Sequence, residues 1–397
     1  MQLLCTDRTP TRTSLDIWPL LPITIFCNSR ELDDKGQDNI IAAFEHHDRV
    51  IKIDIRNLKC FALEKFSAVT DKPFPLLRDL GLTSSDGIAP VLHEKFLQGS
   101  APCLLFLFLW NISFPVFPKL AVSATHLSTL FLGNIPITGY ISPEAMASCL
   151  ATLPNLRELS IGFESPRSRP DRIGLPPPTR AVLPALTDFG FQGVNEYLED
   201  LVSRIDTPNL NLLVIDLFMD FMFHIPQLHK FISRSKRTRP LDPAKITFSS
   251  SQITIKLGPS NGVVILTIRC EEPDSQASSM ARVCCQLSSL LSQVEQLNIR
   301  DDMYGDTQRE IDINPTQLLE LFHPFLAVRD LRIYDELWPL VAQALQDLTV
   351  ARAAEVLPTL RTIFFKGTSL SGSIREDIQA FIAARQHSDH PVHLHWE

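Results

Sequence analysis

PNLRELSI, residues 154–161, sets the reading of the whole chain. Its apolar anchors Leu156, Leu159 and Ile161 fall three and then two residues apart, and that spacing recurs nine times more. The other copies are DRVIKIDI at 48–55, PLLRDLGL at 75–82, PCLLFLFL at 102–109, THLSTLFL at 125–132, PALTDFGF at 184–191, PNLNLLVI at 208–215, SQVEQLNI at 292–299, LAVRDLRI at 326–333 and PTLRTIFF at 358–365. Six of the ten open on proline. The first anchors Val50, Leu77, Leu104, Leu127, Leu156, Leu186 and Leu210 are 23 to 30 residues apart, and a long gap follows.

A short leucine pattern at this period is the mark of a leucine-rich-repeat solenoid, in which no unit can bury its apolar face alone and stacking supplies the core. The last two anchors of each copy alternate with other residues, as in Leu80-Gly81-Leu82 and Leu159-Ser160-Ile161, which is strand periodicity. Helical periodicity fills the intervals: DNIIAAFEHH at 38–47, SPEAMASCLATL at 142–153, VNEYLEDLVSRI at 194–205 and IREDIQAFIAARQ at 374–386. Ser142, with Pro143 at the first helical position and Glu144 after it, is a helix start. The expected fold is therefore α/β: an irregular leucine-rich-repeat-like solenoid with a parallel sheet on its concave side and helices on its convex side.

Residues 1–30, with Pro10, Pro19 and Pro22, read as an N-terminal arm, and 31–397 as a single repeat domain. The repeats are irregular. The third position past the last anchor, asparagine or cysteine in a strict repeat, holds Leu58, Ser85, Ile112, Ile135, Glu164, Val194, Phe218, Asp302, Glu336 and Thr368, so no asparagine ladder is expected there. SPRSRPDRIGLPPPTR at 165–180 carries five prolines and four arginines and reads as a long loop. Between 216 and 291 the period lapses. KITFSSSQITIKL at 245–257 and VVILTIRC at 263–270 flank Gly258-Pro259-Ser260-Asn261-Gly262 there, and the β-rich segment at about 240–272 reads as a hairpin or an extended pair of repeats.

Of the 397 residues, 45% are hydrophobic and 21% charged, which places the chain among folded globular proteins. A net charge of −8 argues against nucleic acid as partner, because counterion release needs a concentrated basic face. The eight cysteines lack C-x-x-C spacing and read as small apolar residues of a reducing compartment. MQLLCTDRTP does not resemble a secretory signal, and the run LLFLFLW at 104–110 is far shorter than the roughly 20 residues a membrane helix needs. The expected location is cytoplasmic or nuclear, without membrane association, and the sequon Asn111-Ile-Ser113 is then a chance match.

Chemistry finds little footing. Gly258-x-Ser260-x-Gly262 matches the string of a nucleophile elbow, but a strand-like run follows where a helix is required, so a glycine turn is the reading. His387, His390, His393 and His395 gather near the C-terminus without an acidic or cysteine partner at ligand spacing. Vicinal Cys284 and Cys285 sit on a predicted helix and point apart. Lys230, Arg234, Lys236, Arg237 and Arg239 end a short helix, where the helix dipole favours cations. No enzymatic activity, cofactor or metal is expected.

Stacked repeats project the residues beside their strand anchors onto one surface. These are Phe106, Phe108 and Trp110 in the third copy and Thr129, Phe131 and Gly133 in the fourth. Later copies bring Leu212, Val214 and Asp216, Gln296, Asn298 and Arg300, Asp330, Arg332 and Tyr334, and Thr362, Phe364 and Lys366. Exposed aromatics and arginines are the material of protein-binding hot spots. The candidate partner-binding residues are Phe106, Phe108, Trp110, Phe131, Asp216, Arg300, Arg332, Tyr334 and Lys366; the alternative is that the arm or the proline-rich loop covers the aromatic stretch.

TRTSLDIWPLLPITIFC at 11–27, DNIIAAFEHHDRV at 38–50, ATHLSTLFLGNIPITGYISPEAMASCL at 124–150, GFESPRSRPDR at 162–172 and EYLEDLVSRIDTP at 196–208 resemble a large family of fungal F-box and leucine-rich-repeat-like proteins. The resemblance implies a repeat region that captures a protein for ubiquitination, and an F-box that docks on the Skp-type linker of a cullin ligase. Residues 1–30 hold no leucine-rich helical stretch opening near an LPxE string, so linker and cullin are expected as partners only where an F-box is supplied elsewhere. The expected function is a non-enzymatic protein-interaction module like the substrate-recognition part of such an adaptor. The alternative is a stand-alone repeat scaffold or ligand sensor.

Overall fold

The computed structural model describes residues 2–8, 14–15, 20–28, 33–85, 87, 89–166, 179–218, 224–235, 241–259, 263–270, 273–301, 314–334, 337–346, 355–366, 372–387 and 390–396. They fall in two compact units, Met1–Leu210 and Asn211–Glu397.

In the first unit the strands are β1 (Leu3–Cys5), β2 (Ile23–Asn28), β3 (Val50–Leu58), β4 (Asp79–Ser84), β5 (Phe106–Trp110), β6 (Thr129–Ile135), β7 (Glu158–Phe163), β8 (Ala181–Val182), β9 (Asp188–Gly193) and β10 (Ile205–Asp206). All but β8 and β10, which pair with each other, lie side by side in parallel in chain order. The register repeats the sequence pattern. Asp79, Phe106, Thr129, Glu158 and Asp188, each the fifth residue of its copy, are successive partners across the sheet. A slip of one residue would turn every anchor to the opposite face, and burial of one face prevents it. None of Leu80, Leu82, Leu107, Leu109, Leu130, Leu132, Leu159, Ile161, Phe189 and Phe191 is more than 5% exposed.

The recurrent proline has a local cause. In all six copies that open on it, the residue before it accepts a hydrogen bond from the first anchor's N–H, from Leu77 to Phe74 through to Leu360 to Leu357, at 3.0 to 3.3 Å. Proline therefore holds the second place of a β-turn, for which its ring presets φ. Helices Asp34–Glu45, Cys60–Val69, Phe117–Ser123, Pro143–Leu150 and Asn195–Arg204 occupy the intervals between strands. The Ser142 hydroxyl caps its helix by accepting from the Ala145 N–H at 3.2 Å.

Two expectations are corrected here. Residues 1–30 are more than an arm: β1 and β2 extend the sheet, with Ile23, Ile25 and Cys27 at most 1% exposed. Pro22 immediately precedes β2, whose register against β3 shifts between Ile23 and Thr24. Asparagines are also present at the strand ends, one place earlier than in a strict repeat. Asn57, Asn111 and Asn134 each stand two past the last anchor, with φ of 58, 55 and 50°, a left-handed conformation that asparagine tolerates. Asn134 Nδ2 donates to Asn111 Oδ1 at 3.3 Å and Asn57 Nδ2 to Asn28 Oδ1 at 2.9 Å, tying neighbouring strands together.

The second unit holds β11 (Leu212–Phe218), β12 (Ala244–Phe248), β13 (Gln252–Leu257), β14 (Val263–Arg269), β15 (Gln296–Asp301), β16 (Asp330–Tyr334), β17 (Thr362–Lys366) and β18 (His393–Trp396), in the order β11-β14-β13-β12-β15-β16-β17-β18. The segment within 240–272, expected as a hairpin or an extended pair of repeats, holds a three-stranded meander. Strand β13 is antiparallel to β12 and β14, while β14 runs parallel to β11 and β12 parallel to β15. An odd number of inserted strands restores direction, so the parallel stack continues beyond it. The turn at Ser249, whose N–H donates to the Gln252 carbonyl at 2.9 Å, divides a run that reads as one strand. Helices Pro273–Gln286, Pro315–Phe322, Trp338–Gln346 and Gly372–His387 pack in succession, and no helix of the described residues is long and apolar enough to cross a membrane.

Candidate functional site

Parallel sheets are commonly covered on both faces. Here β4, β9, β11, β12 and β13 alternate between buried and half-exposed residues, so one face packs inward and the other remains partly open. In the first unit that open face carries a strip of rings built by register. Phe106 is paired with Thr129, Phe108 with Phe131 and Trp110 with Gly133. Phe106 and Phe108 stack 6.4 Å apart at 3°, Phe108 and Phe131 4.4 Å apart at 12°, and Trp110 and Phe131 6.1 Å apart at 22°. Phe106 keeps 37% of its surface and Trp110 41%, while Phe108 and Phe131 are half-buried.

Glycine makes the close stacking of this strip feasible. A Cβ on Gly133 would stand 2.4 Å from Trp110 Cε3 and 2.5 Å from Phe131 Cε1, so the two rings occupy the space a side chain would need. On the other flank Gly81 opens a hollow of about 610 Å³ lined by Lys52, Asp54, Arg56, Asp79, Thr83, Phe106 and Phe108. Asp54 accepts from Arg56 Nε at 2.7 Å and from Nη2 at 3.1 Å, so charged groups wall the hollow opposite the rings. These residues escape a reading that starts at the third copy. Counting the fifth and seventh places of the first two copies, Lys52 and Asp54, Asp79 and Gly81, would have found four of them.

On the open face of the second unit Asp216 is held by Arg269, whose Nε reaches its carboxylate oxygens at 2.9 and 2.8 Å. Arg300 Nε donates to Thr247 Oγ1 at 3.3 Å. Arg332 Nη1 donates to Gln296 Oε1 at 3.2 Å, and its guanidinium lies 4.6 Å from the centre of the Phe364 ring. Tyr334 ends β16, half-exposed, paired in register with Lys366, whose side chain lies outside the described residues. Phe106, Phe108, Trp110 and Phe131 thus form one contiguous cluster within the first unit, and Asp216, Arg300, Arg332 and Tyr334 belong to the partly open side of strands in the second. Arg269 was missed because it lies outside every repeat copy.

The other sequence candidates resolve as follows. Gly258, at φ 95°, begins the connection of two antiparallel strands, and Ser260 lies outside the described residues. His395 stacks on Phe364 at 5.5 Å, and a His387 ring nitrogen lies 2.7 Å from the Ala383 carbonyl. Cys284 is buried and Cys285 exposed, and burial pushes the Cys284 thiol far above its ordinary value, away from nucleophilic use. Arg234 ends the helix Pro226–Arg234; Lys236, Arg237 and Arg239, and 167–178 of the proline-rich loop, lie outside the described residues.

The in-register parallel strands, the proline-led turns before the anchors and the helical returns define the class: a leucine-rich-repeat-like α/β solenoid. No protein-family model and no curated protein matches the chain. Among solved structures it is similar to the leucine-rich repeat-containing protein LegL7 from Legionella pneumophila, at 12% identity over 83% of this chain and 97% of that one, with a TM-score of 0.33. It is also similar to the TLR13 chain of a TLR13–ssRNA13 complex, at 13% identity over 95% of this chain and 44% of that one, with a TM-score of 0.31.

Proposed function

We propose that this chain is a non-enzymatic protein-interaction module that holds its target on the open face of the sheet. The observation that carries the proposal is the strip Phe106, Phe108, Trp110 and Phe131, exposed at Phe106 and Trp110 and half-buried at Phe108 and Phe131, beside a hollow with charged walls. Large rings on rigid strands contribute contact area with little loss of conformational entropy, and clustered aromatics rimmed by polar groups are the composition of binding hot spots. A patch of this kind on a free monomer is an aggregation hazard, which favours its use as an interface.

The finer reading is substrate recognition for a cullin ubiquitin ligase in the cytosol or nucleus. It is supported by the strings at 11–27, 38–50, 124–150, 162–172 and 196–208 that resemble F-box and leucine-rich-repeat-like proteins. The buried thiols Cys5, Cys149 and Cys284 suit a reducing compartment. Affinity purification of the chain from its native cells, in parallel with Phe108→Ala and Trp110→Ala, tests both levels. A partner lost in both variants supports the interaction face, and a Skp-type linker and cullin in stoichiometric amount support the adaptor. A dominant partner without the ligase makes the chain a stand-alone scaffold, and a partner indifferent to both substitutions overturns the aromatic face.

A further inference from the structure

The hollow beside the aromatic strip is shaped for a flat cation. Register sets Asp54 beside Gly81 and Gly81 beside Phe108, so β3 and β5 each raise a side chain while β4 between them raises none. The Asp54 carboxylate leans over that glycine, where a Cβ would stand 3.5 Å from its Oδ1. Phe131 on β6 stacks on the Phe108 ring at 4.4 Å, and Phe108 lines the hollow toward β4. In the next row Lys52, Asp79 and Phe106 are successive partners, and among the described residues the half-buried Asp79 carboxylate has no hydrogen-bond or ion-pair partner. Asp54, 8% exposed, is already bridged by Arg56. The second unit shows what a phenylalanine of this fold accepts. There Arg332 is the register partner of Phe364, and its guanidinium lies 4.6 Å from the ring centre. Beside Phe108 the same place falls to Gly81.

We infer that the hollow seats an arginine side chain of the protein held on this face, with its guanidinium flat against Phe108 over Gly81 and an edge donating to Asp79. The assignment rests on the interface reading and names the chemistry of the partner. Two strand steps, about 9.6 Å, separate the backbones of β3 and β5, which leaves room for one planar group between the Asp54 and Phe108 side chains. The negative face of the ring and the two carboxylates select a cation. Guanidinium suits the place better than ammonium: it is planar, more weakly hydrated, and offers edge donors to a carboxylate while its face stays on the ring. A second aromatic ring would desolvate Asp79 without giving it a donor. Arg56 is committed to Asp54, so Lys52, the register partner of Asp79, is the cation that competes for this carboxylate.

The test is a saturation-transfer difference NMR titration of the full chain with N-acetyl-arginine methylamide, against the lysine, citrulline, phenylalanine and glutamate analogues. Arginine is expected to bind most tightly, and citrulline, of the same shape but neutral, about tenfold more weakly. Asp79→Asn is expected to lose about tenfold for arginine, and Lys52→Gln, which removes the competitor, to gain about two- to fivefold. Gly81→Val fills the floor and should abolish the signal. Gly81 lies within β4 and a Cβ there meets ordinary contact distances, so that variant is expected to melt near the parent temperature. Should it fail to fold, Asp79→Asn and Lys52→Gln still probe the site with opposite signs. The inference is overturned if any analogue binds as tightly as arginine, or if Asp79→Asn or a folded Gly81→Val binds arginine as the parent does. The interface reading fails separately. A partner lost in Phe108→Ala and Trp110→Ala but captured normally by Asp79→Asn and Gly81→Val keeps the interface and removes the arginine, whereas a partner indifferent to all four substitutions removes both.

Discussion

Phe108 and Phe131 are direct partners across β5 and β6, and their rings stack 4.4 Å apart at 12° on the open face of the sheet. The pair is made by register alone: the seventh residues of two successive copies, 23 residues apart, stand side by side once the anchors are buried. Half-buried rings stacked in this way contribute about 0.5–1.5 kcal/mol beyond their burial.

Phe108→Ala is therefore expected to lower stability by no more than about 2 kcal/mol, and Trp110→Ala by less, while both weaken partner capture. Chemical denaturation and pull-down measure the two separately. A Trp110→Ala chain that unfolds would show this ring to be part of the core.

Gly133→Ala is expected to push the Trp110 ring aside, since the new Cβ would stand 2.4 Å from Cε3. Overpacking of this kind costs about 1–3 kcal/mol. In a Trp110→Ala background much of that cost should vanish, and a double-mutant cycle gives the coupling directly. Fully additive effects would mean that the crowding lies elsewhere.

Leu130→Ala and Leu159→Ala remove anchors that are 1% and 2% exposed, and each is expected to cost about 2–5 kcal/mol through lost burial and a residual cavity. Equilibrium urea unfolding measures it. A loss below about 1 kcal/mol would contradict a tightly packed repeat core.

Asn134, at φ 50°, separates conformation from hydrogen bonding. Asn134→Gly keeps the left-handed turn easily and loses only the bond to Asn111, whereas Asn134→Ala loses both, so the alanine variant should be the less stable by about 1 kcal/mol. Equal melting temperatures would leave the side-chain bond as the whole contribution.

Burial raises the Cys5 thiol from 9.0 to about 11, with Arg49 opposing the shift. The folded value lies above the unfolded one, so the associated stability is full below about pH 9 and is lost as pH rises toward 11. Cys5→Ala should remove that part of the alkaline loss of stability. At pH 8 iodoacetamide should modify exposed Cys103 and Cys285 well before Cys5, Cys149 and Cys284, which peptide mass spectrometry would show.

Copies with three anchors were legible because burial of one face leaves a period in the sequence, and Phe106, Phe108, Trp110 and Phe131 followed by counting from those anchors. Strands β1, β2 and β18 were less legible, since they join the sheet without a full copy of the pattern, and the meander was read one strand short because the serines at 249–251 carry no glycine or proline. Arg269, Lys245 and Lys256 stood outside any copy, so no count could assign them to a face.

The amino-acid sequence by itself determined the repeat, its register and the side of each strand that is buried, because all three depend on the local spacing of apolar residues and on proline in the preceding turn. Only the tertiary structure decided which polar and aromatic residues meet. The ring stack of Phe108 on Phe131, the asparagine pairs at the strand ends and the opposition of Lys245 to Lys256 arise between segments 11 to 29 residues apart, where pairing is set by strand order and by a meander whose direction no local pattern encodes.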